Sequence, residues 1–148
     1  MWRHLLDALI LSAIVVCIHA TGTYVNLHWI VRSLKGRALP GLAHGWFYII
    51  RFVVVLVLIH SAEVAVWSEF YLLQHCFDDR NTAYYYSLVT YTTLGYGDVL
   101  LPQAWRIMGG WEAMLGVLMF GWSTATLMTI IHHIQGARIR QYFPDIDD

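Results

Sequence analysis

The residues best placed to do chemistry lie in one stretch, Thr92-Thr93-Leu94-Gly95-Tyr96-Gly97-Asp98. Gly95 and Gly97 accept backbone conformations closed to residues with side chains, so successive carbonyls can all be turned to one side. A stack of carbonyl oxygens makes sites for dehydrated cations. A second group is ionisable and sits inside apolar runs: His60 and Glu63, three residues apart and so on one helical face, and Glu112, at a similar depth on another run. Charge at such depth is costly and functional by default. These three are expected to form one polar network, acting as a hydrogen-bond clamp between helices or as a proton sensor. Eight histidines invite a metal or haem reading. His132-His133 is the one adjacent pair, and neighbours on a helix do not face each other, so it reads better as an interface pair. No enzyme constellation is visible: no phosphate-binding glycine loop before a helix, no nucleophile with a placed base.

The elements that position these residues follow from composition. Of the 148 residues 58% are hydrophobic and only 13% charged, with mean hydropathy +0.53, which describes an integral membrane protein of one domain. A net charge of -1 without a clustered basic face excludes a nucleic-acid partner. Two cysteines, Cys17 in an apolar run and Cys76 in a polar loop, form no metal or redox spacing. Cys17 reads as inert packing; Cys76 reads as a free thiol, with pairing to another subunit as the alternative.

A first apolar segment, Leu5 to Val31, exceeds the ~20 residues needed to cross a hydrocarbon core. Asp7 and the poor cleavage site at Ile18-His19-Ala20 argue for a retained span over a signal peptide. Its later half carries Thr21, Gly22, Thr23, Asn26 and His28, so it reaches the interface or packs a polar side on protein. Residues 1–34 are therefore one unit and 35–45, with Lys35 and Arg37, a basic connector. A second span covers 46–73, Asn81 is the expected N-cap of a short helix over 82–91, and a third span covers 104–134. A polar tail, 135–148, ends the chain. Arg32, Lys35 and Arg37, with Arg138 and Arg140, put the connector and tail on the cytoplasmic side and the amino terminus outside.

An irregular glycine-rich return between two spans is tolerated at membrane depth only where protein buries it or it lines a water-filled path, which points to a pore. The carboxyl end of the short helix would aim partial negative charge at the membrane centre. Thr93-Leu94-Gly95-Tyr96-Gly97-Asp98 then resembles the selectivity-filter signature of the potassium-channel family, threonine-valine-glycine-tyrosine-glycine-aspartate. The resemblance covers about residues 46–134, is bacterial-like in type, and leaves the first helix outside.

The resemblance implies an all-α membrane protein: three transmembrane helices, a re-entrant pore helix and filter, and a homotetrameric pore in the cell (inner) membrane. It implies passive potassium conduction, with K+ held by the carbonyls of Thr93, Leu94, Gly95 and Tyr96 and by the Thr93 hydroxyl, and with Gly97 completing the filter strand. Beyond permeant K+ and the lipid bilayer, no cofactor is implied. Thr92 and Asp98 would support the filter. Leu94 stands where valine is usual, and Tyr85 and Tyr86 stand where many members have tryptophans; Tyr86 is the expected brace for Asp98. Val89 replaces a buried glutamate of some members. Gly116 and Gly121 match inner-helix hinges, with close packing as the equal alternative; Thr124 and Thr126 line the cavity or bond back to their own helix. Asp78 and Asp79 would concentrate cations at the outer mouth or serve as solvated loop charges. The rival functions are a weakly selective cation channel or auxiliary subunit, motivated by Leu94, and a membrane haem or metal protein.

Overall fold

The structure, a computed structural model, describes residues 2–34 and 42–142. Of the expected connector 35–45, residues 42–45 already belong to a helix, and of the expected polar tail 135–148, residues 135–142 continue one; 35–41 and 143–148 lie outside the described residues. Among those described the chain is all helical: α1 (Trp2–Leu34), α2 (Leu42–Leu73), the short α3 (Arg80–Tyr91), one 3-10 turn (Gln103–Trp105) and α4 (Arg106–Tyr142). Three stretches are long and apolar enough to cross a membrane, His4–Ser33, Gly45–Leu73 and Gln103–His133. The helices outrun the apolar segments because the helical hydrogen-bond ladder continues through the polar flanks.

Each helix end has a local cause. α2 closes with Cys76 N bonded to the Tyr71 carbonyl and His75 N to the Leu72 carbonyl, both 2.9 Å, and His75 in the left-handed region at φ 54°. That pairing is a Schellman cap built on a residue other than glycine. The cap of α3 lies two residues before the expected Asn81: Asp79, in extended backbone, accepts from Thr82 N at 2.9 Å. Asn81 is already helical.

α2 packs against α1 on one side and α3 on the other, and α4 closes against α3. α1 turns a single stripe inward, Ala8, Leu11, Val15, His19, Thr23, Asn26 and Ile30. The apolar members of that stripe fall into two clusters. One gathers Ala8, Leu11 and Val15 with Val64, Trp67, Tyr71, Tyr91, Leu101, Met108, Leu115 and Met119. The other gathers Ile30 with Tyr48, Phe52, Leu56, Ile59 and Ile130. Between the clusters runs a polar layer, to which α1 contributes His19, Thr23 and Asn26, α2 Glu63 and α4 Ser123. The polar half of α1 thus packs against protein. Arg51 tightens it further, donating to Asn26 Oδ1 at 2.7 Å and lying 3.6 Å over the Trp29 ring.

At Gly22 α1 packs closely on α2, since a β-carbon there would sit 2.7 Å from Ile59 Cδ1. The opposite faces stay apolar and open, with Val54, Val57 and Leu58 on α2 more than half exposed. In water that surface would drive association; in a bilayer it meets lipid or another apolar face. Cys17 lies on such an exposed face and does not pack inside the chain, which corrects the expectation for it.

Candidate ion pathway and the polar layer behind it

α3 ends in a second Schellman cap, and this cap launches the glycine stretch. Leu94 N bonds to the Val89 carbonyl at 3.0 Å and Thr93 N to that of Thr90 at 2.9 Å, with Thr93 at φ 61°. A β-branched residue in the left-handed region is a true outlier and costs about 1–3 kcal/mol. Gly95 at φ 56° and Gly97 at φ 77° continue the pattern, while Leu94 and Tyr96 between them do not share it. The backbone therefore reverses hand at every second residue, a pattern that brings successive carbonyls to the same side. Thr92 bonds its hydroxyl back to the Leu88 carbonyl at 2.7 Å. All of Thr92 to Asp98 is exposed in the single chain, Leu94 at 55% and Tyr96 at 66%.

The brace on this stretch differs from the expected one. Tyr85, not Tyr86, donates to Asp98 Oδ2, at 2.6 Å. That bond holds the Asp98 carboxyl below the usual carboxylate range. Tyr86 is turned inward instead, edge-on to Tyr71 at 5.4 Å and beside Phe77 at 5.2 Å, its hydroxyl against Gly109. One residue of helix is a 100° rotation, enough to send adjacent tyrosines to opposite surroundings. Behind the stretch a cleft is lined by Tyr86, Val89 and Thr90 on one side and Gly95, Gly97 and Asp98 on the other.

His60, Glu63 and Glu112 do not form one network. Glu63, fully buried, receives His19 Nδ1 on Oε1 at 2.9 Å, and His60 Nδ1 on Oε2 at 3.1 Å together with the Tyr91 hydroxyl. Both imidazoles turn their Nε2 to Ser123 Oγ, at 3.0 Å from His60 and 3.4 Å from His19. Glu112 is also fully buried but belongs to a separate set: Tyr71 donates to Oε2 at 2.8 Å, and Ser87 contacts Oε1 while lying 3.0 Å from the Val64 carbonyl. The sets diverge because Glu63 faces α1 and the end of α3, whereas Glu112 faces the middle of α3. His19 escaped the sequence reading. A histidine in the middle of an apolar run was the available signal, and only the pairing of α1 with α2 gave it partners.

Gly116 is a packing glycine: a β-carbon there would collide with the carbonyl oxygen of Tyr91, the last residue of α3. Gly121 has nothing within 4 Å, and α4 runs unbroken through both. Thr124 and Thr126 bond back to the Phe120 and Trp122 carbonyls at 2.8 and 3.0 Å. Asp78 and Asp79 are exposed, Asp79 serving as the cap of α3, whose hydrogen bonds from Thr82 lower its carboxyl. His132 and His133 are exposed. Cys76 is a free thiol, half-buried, and burial raises it.

Fold and site together define a class: a multi-pass membrane protein in which two spans enclose a short helix and a strained, exposed, glycine-bearing return. Comparison with known families agrees. The family model described as "Ion channel" matches residues 52–133, more than half of the chain, and the chain belongs to this ion channel family. No curated protein and no solved structure gave a significant match. The matched segment runs from within α2 into α4, so α1 and His19 lie outside it.

Proposed function

We propose that the chain is the subunit of a potassium-selective channel, four copies of which place their Thr93–Gly97 strands around one axis. α2, α3 and α4 then serve as outer, pore and inner helices. Carbonyls of Thr93, Leu94, Gly95 and Tyr96, with the Thr93 hydroxyl, replace the hydration shell of K+, and Gly97 and Asp98 finish the outer mouth. The observation that carries this reading is the alternation of hand at Thr93, Gly95 and Gly97 in a stretch its own chain leaves uncovered. Strain of this kind persists where function requires it, and an exposed leucine and tyrosine beside it need cover from neighbouring copies. The carboxyl end of α3, at Tyr91, adds partial negative charge next to the first site. Conduction is passive, and the basic flanks favour a cytoplasmic connector with the return entering from outside.

The test is K+ flux into liposomes holding the purified chain, with Na+ as comparison and Gly95→Ala as control. Gly95 is at φ 56°, where an alanine costs about 1–2 kcal/mol in every copy, so flux should vanish while membrane insertion remains. A second reading, a weakly selective cation channel, draws on Leu94, whose larger side chain its own chain does not hold. A reversal potential that ignores the K+ gradient would select it.

A further inference from the structure

We infer that His19, His60 and Glu63 form a binding site for one divalent transition-metal ion of the zinc type, completed by the Tyr91 oxygen. One imidazole nitrogen from each histidine and a carboxylate oxygen lie within 4.8 Å of one another. The separations of adjoining ligand atoms are close to the edge length of a coordination tetrahedron. His19 Nδ1 is 2.9 Å from Glu63 Oε1, and His60 Nδ1 is 3.1 Å from Glu63 Oε2 and 3.2 Å from the Tyr91 oxygen, so each ring faces its own carboxylate oxygen. Bonds of about 2.0–2.2 Å to zinc would set such edges at roughly 3.3–3.6 Å. Seating the ion would widen these three pairs by a few tenths of an ångström and open the closer Tyr91–Glu63 Oε2 contact toward the same edge length.

Hydrogen-bond arithmetic calls for a cation in this network: a bound metal ion, or a proton that makes one ring an imidazolium. Glu63, when ionised, only accepts, so three donors must come from His19 Nδ1, His60 Nδ1 and Tyr91. Two neutral rings would then offer only acceptor Nε2 atoms to Ser123, whose single proton satisfies one of them. With a metal on both Nδ1 atoms each Nε2 carries a proton and donates to Ser123 Oγ, which has two lone pairs; the metal-free alternative is one imidazolium donating to Ser123, whose own proton goes to the other ring, and in that case no ion is retained. A shared outer acceptor that fixes ring orientation is the usual support of histidine ligands.

Charge and access agree. His19 and Glu63 are fully enclosed, and among the described residues the ion pairs of Glu63 are both with histidines, so no permanent cation balances it. His60 keeps 13% of its side chain exposed and provides the way in. The ligand set joins α1, which lies outside the family match, to α2 and to Tyr91 at the end of α3, with Ser123 of α4 behind it. The ion would lock the additional helix onto the channel domain at the residue that carries the glycine stretch.

The experiment uses the full chain purified in detergent, stripped with a chelator and titrated with Co2+ alone, then with Zn2+ as competitor. Metal per chain and the visible spectrum are the readouts, neither of which depends on conduction. The expected result is one ion per chain, with the intense absorption of tetrahedral Co2+, displaced by Zn2+. His19→Gln and Glu63→Gln should each weaken retention more than about 100-fold. Ser123→Ala, which removes no ligand, should weaken it about 10–100-fold. Replacing His132 and His133, exposed and distant in sequence, should change nothing. If Glu63→Gln fails to fold, His19→Gln and Ser123→Ala decide. No retained ion, a weak octahedral spectrum, or undiminished retention in His19→Gln would overturn the proposal.

Discussion

Gly116→Ala separates two roles for an inner-helix glycine. The added β-carbon would fall on the Tyr91 carbonyl oxygen, with the carbonyl carbon at 3.0 Å and Tyr91 Cδ1 at 3.3 Å. The obstacle is backbone and cannot rotate aside, so α4 and α3 must part by roughly an ångström or more to restore ordinary contact. Overpacking of this kind costs about 1–3 kcal/mol, and a backbone clash belongs at the upper end. Alanine regains about 1 kcal/mol of helix propensity, leaving a net loss of about 2 kcal/mol. Gly110→Ala has the same propensity gain and nothing within 4 Å, so the difference between the two variants isolates the clash at about 3 kcal/mol. For a chain of this size that is a gap of about 6–12 °C in Tm. Thermal unfolding of both variants in one detergent, followed by circular dichroism, measures it. Equal Tm values within about 2 °C would refute the packing argument. If flux alone changed, the glycine would be a hinge.

Three further outcomes follow from the same geometry. Glu112→Gln should be tolerated within about 1 kcal/mol, because its amide can donate to Ser87 and accept from Tyr71. Glu112→Ala should cost about 3 kcal/mol or more by leaving a cavity and an unpaired Tyr71 hydroxyl, as denaturation in detergent would report. For Asp98 the folded carboxyl lies below its unfolded range, so the stability it contributes is present above about pH 4 and is lost as pH falls through the lower folded value. Tyr85→Phe should move its titration, followed by NMR, back up toward the ordinary range; an unmoved titration would deny the bond its role. Because burial raises the Cys76 thiol, its alkylation at pH 7 should be several-fold slower than that of a free peptide thiol; equal rates would show the thiol exposed.

The reading of residues went furthest where a single element holds the signal. Three apolar runs of spanning length, a helix too short to span and alternate glycines are local properties, and the structure has three helices long and apolar enough to cross a membrane with a short helix between the second and third, although α4 continues to Tyr142, past the expected 134. The cap of α3 was misplaced because Asp79 and Asn81 are both good cap formers, and only backbone geometry separates them. The single network expected of His60, Glu63 and Glu112 rested on equal depth, which says nothing about direction around a helix axis.

Composition and order by themselves determined that this chain lies in a membrane, how many times its apolar runs can cross, and where alternate glycines free the backbone for left-handed turns. Those properties depend on side-chain hydrophobicity and on the φ that glycine permits. Tertiary structure decided the partners: Tyr85 rather than Tyr86 on Asp98, Ser87 and Tyr71 on Glu112, and His19 on Glu63. Each of those bonds joins residues 13 to 44 positions apart, on helices or loops whose relative rotation is set by packing. Rotation of one helix against another leaves no periodic trace in either sequence, so it becomes visible only once the faces have met.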